Sequence, residues 1–268
     1  MQPKFGIFVD EGFNTERETR QGLLHTMESS GAEVDYIHSR EAFNGDVDLD
    51  QYQSLFFVGG FTYADFGGAG TVAAIKLRYG KLAEQLQRFI EDEKLIMGIC
   101  NGFQILLKAG ILPGFDGDYQ TQRATLIQNQ RGKFEDRWVY LKTNPESPCV
   151  FTKDVDFYLP VRHGEGNFYA SPDVLERLEI DDLIAVEYCN EDGNPVNGEY
   201  PLNPNGSGLD IAGICDPTGR ILGLMPHPDC YLKPQLNPQY TRQRANEEVQ
   251  EPLGLRMFRN AMEYAVQI

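Results

Sequence analysis

The sequence predicts an α/β protein with a central, mostly parallel sheet, helices on both faces and antiparallel additions at one edge. Two patterns lead to that prediction. In the first half, short apolar runs alternate with segments of helical periodicity, which is typical of parallel strands joined by helices. In the second half, strand-like segments follow one another with little helix between them, which indicates antiparallel pairing.

The first half supplies the predicted parallel strands and their connecting helices. Strands are predicted at 5–10, 33–38, 55–58 and 95–99, where apolar residues cluster or alternate. Helices are predicted at 15–30, with Leu23, Leu24 and Met27 at helical spacing, at 71–92 and at 102–109. The middle segment is interpreted as one long helix, and its expected buried side consists of Ile75, Leu82, Leu86, Phe89 and Ile90.

The second half is expected to extend the sheet. Strands are predicted at 137–142, 157–161, 183–188, 209–215 and 221–225. A last helix is predicted at 252–266, with one apolar face formed by Leu255, Phe258, Met262 and Val266. Residues 191–208 and 230–250 are expected to be loops rather than linkers, because apolar elements resume after each. Residues 1–268 are therefore predicted to form a single domain.

Charge and cysteine content narrow the classes of function. The 268 residues carry a net charge of −16, which argues against binding to nucleic acid. The five cysteines are scattered and include no Cys-x-x-Cys pair, so neither a disulfide framework nor a metal site is expected. The N-terminal apolar run is too short for a signal peptide, and no run reaches membrane-spanning length. A reducing cytoplasm is the predicted location.

The segment Gly98-Ile99-Cys100-Asn101-Gly102 has the pattern of a nucleophile elbow. It follows a predicted buried strand and opens a predicted helix, and its glycines permit the sharp turn that such an elbow needs. The sulfur would stand near a helix N-terminus, whose partial positive charge favours a thiolate. The backbone N–H of Asn101 would lie where an oxyanion forms. A buried cysteine in an ordinary glycine-rich turn is the alternative.

A cysteine nucleophile needs a base, and the chain has four histidines. His25 lies within a predicted helix and His38 ends a predicted strand. His227 follows a predicted strand instead, within Met-Pro-His-Pro-Asp, and Asp229 is close enough in sequence to orient its ring. Cys100, His227 and Asp229 therefore form a candidate Cys-His-acid triad.

Several segments, in order from near residue 6 to near residue 265, resemble a known family. They are 12–16, 59–65, 98–104, 112–114, 159–166, 204–207 and 225–228. The elbow is similar to that of the class I, triad-type glutamine amidotransferases. His-Gly-Glu-Gly at 163–166 and Pro-Asn-Gly-Ser at 204–207 resemble the glutaminase subunit of phosphoribosylformylglycinamidine synthase. The resemblance implies the flavodoxin-like class I glutamine amidotransferase fold.

The resemblance also implies roles for the residues that match. Cys100 would attack the glutamine side-chain amide, with His227 as base and then acid, oriented by Asp229. Backbone N–H groups at Gly60 and Asn101 would form the oxyanion hole. The implied substrate-binding residues are Gln104, His163 and Glu165. For His163 a hydrogen-bonded structural role is an equal alternative, and for Glu165 the equal alternative is a solvated loop acid.

Three departures from the family pattern stand out. The triad acid is usually glutamate, so the shorter Asp229 is expected to need a small backbone shift or a bridging water to reach His227. The family often carries a Leu-Arg pair where this chain has Gly67-Gly68, so a basic contact is missing there. The loops at 191–208 and 230–250 make the chain longer than a minimal member and bear on partner docking.

The resemblance implies that ammonia passes to a separate synthetase subunit that consumes formylglycinamide ribonucleotide, with a small accessory subunit as a further expected partner. ATP and magnesium are expected on that synthetase, because this chain has no phosphate-binding Gly-x-x-x-x-Gly-Lys-[Ser/Thr] loop. No cofactor is expected on this chain. The alternatives are a class I amidotransferase for a different acceptor, a non-catalytic regulatory protein that keeps the fold, and a stress-related cysteine protein with a similar elbow.

Overall fold

A computed structural model of the chain describes residues 2–26, 31–153, 157–249 and 251–268, with the backbone alone at Phe157. Met27, which the sequence places on a helix, and Gln250, at the end of a predicted loop, lie outside the described residues. No helix within the described ranges is both long and apolar enough to cross a membrane.

The described residues include eleven strands. They are β1 Lys4–Val9, β2 Glu33–His38, β3 Ser54–Phe57, β4 Leu95–Ile99, β5 Ala124–Ile127, β6 Glu135–Thr143, β7 Phe157–His163, β8 Asn167–Ala170, β9 Ile184–Cys189, β10 Ile211–Cys215 and β11 Ile221–Leu224. Nine of them form one sheet in the order β2-β1-β3-β4-β11-β10-β9-β6-β7. The strands from β2 to β11 pair in parallel, and those from β11 to β7 pair antiparallel. The predicted fold class is confirmed.

Eight helices lie in the described ranges. They are α1 Glu16–Thr26, α2 Ser39–Asn44, α3 Thr71–Tyr79, α4 Ala83–Glu91, α5 Asn101–Lys108, α6 Pro172–Ile180, α7 Tyr240–Ala245 and α8 Gly254–Ala265. Two neighbouring residues of β3 show that helices cover both faces of the sheet. The ring of Phe56 lies 6.1 Å from that of Phe258 on α8, whereas Phe57 packs against Gly102 on α5. Because successive side chains of a strand point to opposite faces, α8 and α5 lie on opposite sides.

The segment predicted as one helix at 71–92 is two helices. The chain turns at Gly80, whose N–H still bonds to the Lys76 carbonyl but whose ψ of 176° leaves the helix. A Cβ at this glycine would collide with that carbonyl oxygen, so the break depends on glycine. Ile75 is 54% exposed, contrary to its predicted burial, while Leu82 and Phe89 are buried as predicted.

The second half contains more helix than the sequence suggested. Helix α6 lies between β8 and β9, and it starts at Pro172 directly after Ser171, a typical helix-start pair. Helix α7 interrupts the segment predicted as a loop at 230–250. The segment predicted to be a strand from 209 begins with a short 3-10 turn, and β10 starts at Ile211. Val266, predicted on the apolar face of the last helix, is 57% exposed and lies just after the end of α8.

Candidate active site

Cys100 sits at a strained turn between β4 and α5. Its backbone has φ 52° and ψ −103°, a left-handed conformation that side chains rarely adopt. The flanking glycines make the turn feasible: a Cβ at Gly98 would lie 2.8 Å from the Gly102 backbone, and one at Gly102 would collide with the Phe57 carbonyl. The elbow predicted from the sequence is present, with the thiol at the N-terminus of α5.

The sheet brings His227 to the same corner. Strand β11 lies beside β4, and the Cys100 N–H donates to the Leu224 carbonyl at 2.7 Å. The chain that continues past β11 therefore leaves the sheet next to the elbow. The His227 N–H donates to the Pro160 carbonyl at 2.8 Å, and the Cys100 thiol donates to the Arg162 carbonyl at 3.6 Å. Strand β7 carries both of these carbonyls and therefore contacts both His227 and Cys100.

His227 and Asp229 are a buried pair. The ring Nδ1 lies 3.2 Å from Asp229 Oδ1, and the residues are 3% and 1% exposed. The contact is direct, so the shorter acid reaches the ring without a bridging water. Burial opposes a charge on His227, but the Asp229 carboxylate and the sulfur of Cys100 together raise its pKa well above the ordinary value. Among the described residues, His227 Nε2 completes no hydrogen bond, which leaves it available for proton transfer.

The predicted oxyanion loop lies against the segment 10–14. The Asn14 N–H donates to the Gly59 carbonyl at 2.7 Å, and the Phe61 N–H donates to the Gly12 carbonyl at 2.9 Å. Gly60 has φ 137°, and a Cβ there would collide with the Gly12 carbonyl, so the close approach requires glycine. The role of the Gly60 N–H in holding an oxyanion stays a prediction.

Asn101 ties the oxyanion loop to the elbow. Its side-chain oxygen accepts hydrogen bonds from the hydroxyl of Thr62 at 2.8 Å and from the Thr62 N–H at 3.3 Å. Its amide donates to Gln104 at 2.8 Å, and Gln104 donates in turn to the Glu165 carbonyl at 2.7 Å. Both the oxygen and the nitrogen of the Gln104 side-chain amide are therefore hydrogen-bonded to neighbouring residues. Direct contact of Gln104 with glutamine stays a prediction.

His163 is buried and neutral. It is 2% exposed, and its Nδ1 lies 3.1 Å from Asn129 Oδ1, while Asn205 Nδ2 lies 3.5 Å from its Nε2. These distances fit a ring that donates from Nδ1 and accepts at Nε2. Burial, aided by His227, lowers its pKa to about 3. This placement favours the hydrogen-bonded structural role over contact with a substrate.

One group of side chains could geometrically hold a metal. Ligand atoms of His227, Asp229 and Cys230 lie within 4.8 Å of one another, the single such group within the described ranges. Two of those residues already bond to each other, and the thiol of Cys230 accepts from Arg162 at 3.6 Å. His227 Nε2 and Asp229 Oδ2 complete no hydrogen bond among the described residues, and the expectation that no metal binds stays a prediction.

Sequence reasoning missed three residues of the site. Gly59 packs against His227, because a Cβ at Gly59 would lie 2.7 Å from its Cε1. Lys108 and Asp65 lie near Glu165 and affect each other's pKa values. The signal for Lys108 was present: it follows Cys100 by eight residues and Gln104 by four, on one helical face. The Lys108 amine lies beside Gly68. At this position the family pattern given above has a longer side chain.

Comparison with known proteins identifies the family of this chain. The model of a CobB/CobQ-like glutamine amidotransferase domain matches residues 2–265. The chain is 40% identical over 270 residues to phosphoribosylformylglycinamidine synthase subunit PurQ of Methanococcus maripaludis, covering 98% of this chain and 97% of that protein. It is 43% identical over 263 residues to the same subunit of Dehalococcoides mccartyi, covering 98% and 97%. A chain in the structure of PurLQS from Thermotoga maritima superposes with a TM-score of 0.69 at 29% identity, covering 98% of this chain and 99% of that one.

Proposed function

Because this chain belongs to the glutamine amidotransferase family, and within it to the PurQ subunits of phosphoribosylformylglycinamidine synthase, we propose that Cys100, His227 and Asp229 release ammonia from glutamine for that synthase. The observation that carries the assignment of residues is the buried His227–Asp229 pair, which lies at the carboxyl end of the sheet beside the strained Cys100 elbow. Such a constellation activates a thiol for attack on an amide.

The first half-reaction forms a thioester. His227 Nε2 takes the thiol proton, and the sulfur of Cys100 attacks the side-chain amide carbon of glutamine. The carbonyl oxygen becomes an oxyanion, which the N–H groups of Gly60 and Asn101 hold. His227 then gives its proton to the amide nitrogen, the carbon–nitrogen bond breaks, and ammonia leaves a glutamyl group on the sulfur.

The second half-reaction restores the enzyme. A water molecule attacks the thioester carbonyl while His227 takes one of its protons. The tetrahedral intermediate collapses, the carbon–sulfur bond breaks, and glutamate leaves. Cys100 recovers its proton from His227. Throughout both steps Asp229 holds the ring in the tautomer that keeps Nε2 free for proton transfer and stabilises the imidazolium.

The ammonia passes to a synthetase subunit, which converts formylglycinamide ribonucleotide to formylglycinamidine ribonucleotide. ATP and magnesium bind on that synthetase in this proposal, and a small accessory subunit completes the complex. The complex works in the cytoplasm. The scattered positions of the cysteines, with no Cys-x-x-Cys pair in the sequence, support a reducing compartment. A class I amidotransferase for another acceptor remains the alternative.

The test is the variant Cys100→Ala in the complex with the synthetase. We expect glutamine-dependent synthesis to fall to background, because the variant removes the thiol at the elbow that forms the thioester. Synthesis from ammonium chloride should be unchanged, since the acceptor site lies on the other subunit. Glutamine-dependent synthesis that persists in Cys100→Ala would refute the assigned nucleophile. If the wild-type complex hydrolyses glutamine but does not aminate formylglycinamide ribonucleotide, the alternative acceptor is favoured.

A further inference from the structure

Lys108 ends α5 with its amine directed at the segment that follows the oxyanion loop. Its Nζ donates to the Ala69 carbonyl at 2.7 Å and to the Thr71 hydroxyl at 3.1 Å. Both acceptors belong to residues 65–71, which contain the positive-φ residues Asp65, Gly67, Gly68 and Gly70. A segment with so many left-handed residues has little regular structure of its own. Lys108 therefore ties this segment to the nucleophile helix.

The carboxylate of Glu165 contacts the same segment. Its Oε2 accepts from the Ala69 N–H at 3.1 Å, so the two polar groups of one residue bind Glu165 and Lys108 respectively. A Cβ at Gly68 would lie 3.1 Å from Lys108 Nζ and 3.9 Å from Glu165 Oε2. The ammonium and the carboxylate thus both lie beside Gly68.

A second carboxylate makes this group negative overall. Asp65 Oδ1 is buried and has no hydrogen-bond partner among the described residues. Burial raises the pKa of Asp65, and Glu165 raises it further while Lys108 opposes. Burial lowers the pKa of Lys108 against the pull of both acids. With both carboxylates ionised, one ammonium balances only one of them, and the group is one positive charge short of neutrality.

The positive charge that Asp65, Lys108 and Glu165 lack matches the α-ammonium of the substrate. Glutamine carries an α-ammonium at the end opposite its reactive amide. Glu165 lies beside Gln104, through the hydrogen bond to the Glu165 carbonyl, and Gln104 is one helical turn from the elbow. One turn rises about 5.4 Å, which is comparable to the reach of a glutamine side chain.

We propose that Lys108 is a positioning residue for glutamine recognition. It fixes residues 65–71 and the Glu165 carboxylate so that Asp65 and Glu165 receive the α-ammonium of glutamine. This inference rests on the proposed function, because glutamine is the substrate assigned there. Lys108 does not touch the reacting amide, so its loss should weaken binding and leave the chemistry of the thiol intact.

The experiment uses two alkylating reagents on the complex of the full chain with its synthetase. Azaserine carries the α-ammonium and α-carboxylate of glutamine, whereas iodoacetamide carries neither. In Lys108→Met, which keeps the aliphatic stem, we expect the rate of azaserine labelling of Cys100 to fall roughly 10- to 100-fold, as for a lost charged hydrogen bond. The rate with iodoacetamide should be unchanged. In turnover, KM for glutamine should rise more than kcat falls.

Two further variants keep the test decisive. Lys81→Met removes a lysine at an exposed position and should label with azaserine like the wild type. Glu165→Gln keeps the hydrogen bond from Ala69 but removes the charge, and should repeat the selective loss. Equal slowing with both reagents in Lys108→Met, or no change with azaserine, would overturn the inference. A wild-type complex that azaserine fails to label would instead refute the proposed function.

Discussion

The site has two corners that are built in different ways. The triad corner, Cys100, His227 and Asp229, is buried and stands at the ends of two neighbouring strands. The charged corner, Asp65, Lys108 and Glu165, is part-buried and depends on a glycine-rich segment held by side chains. Rigid strands hold reacting atoms in place, whereas a segment held by side chains can adjust to a substrate. We therefore expect changes in the triad corner to lower kcat and changes in the charged corner to raise KM.

The largest of the remaining effects is expected at Asp229. In Asp229→Asn the amide can donate to Nδ1 and so favour the wrong tautomer of His227. We expect kcat for glutamine to fall by about 10²- to 10⁴-fold, with KM nearly unchanged. Steady-state kinetics of the complex measure both constants. A rise in KM without a fall in kcat would contradict the expectation that the triad corner determines kcat and the charged corner determines KM.

Asp229→Glu sharpens that result. The direct 3.2 Å contact and the burial of Asp229 leave little room for another methylene, so activity should fall here too. Wild-type or higher activity in Asp229→Glu would mean that this corner tolerates the longer acid. The control is ammonium-dependent synthesis, which should stay normal in both variants.

Gly59→Ala tests the positioning of the base without removing a triad residue. The new Cβ would lie 2.7 Å from His227 Cε1, so the ring must shift away from it. A displacement of this order should lower kcat by up to about 100-fold. Gly208→Ala is the matched control, because its Cβ would make only ordinary contacts with Leu175. Unchanged kcat in Gly59→Ala would show that the ring position is less critical than the geometry suggests.

The smallest effect on activity is expected at His163. Its folded pKa is about 3 against the ordinary 6.5, so its stabilising contribution is complete above about pH 6.5 and decreases as pH falls toward 3. In His163→Asn, the dependence of unfolding free energy on pH should weaken across that window by up to about 1.4 kcal/mol per pH unit. Urea unfolding at a series of pH values measures this. A large increase in KM for glutamine would show instead that His163 contacts the substrate.

The triad corner was predictable from sequence because its signals are local. The elbow and the pair His227–Asp229 each lie within a few residues and follow apolar strands. The charged corner joins positions 65, 108 and 165, which no local pattern connects. The contact of Gly59 with His227 is likewise tertiary. What sequence could not give were the contacts made between segments that are distant along the chain.

The fold shows the same limit. The parallel half was predictable because each strand is either an apolar run or, as in β2, an alternation of apolar and polar residues. The break near Gly80 was missed, since apolar periodicity continues across it and a single glycine is tolerated in many helices. Helix α6 was missed although Ser171 and Pro172 mark its start and Val174 and Leu178 share its buried face. The strand periodicity on either side masked these signals.

The pairing of β4 with β11 determines when, during synthesis of the chain, the site can be completed. Cys100, the proposed nucleophile, is synthesised more than a hundred residues before His227, the proposed base, and strands β6, β7, β9, β10 and β11 of the large sheet all lie between them in the chain. The nascent chain can form the elbow early, but it cannot hydrolyse glutamine until β11 has entered the sheet beside β4. Catalytic competence is therefore acquired late in translation, and truncated products that end before β11 carry a thiol without its base.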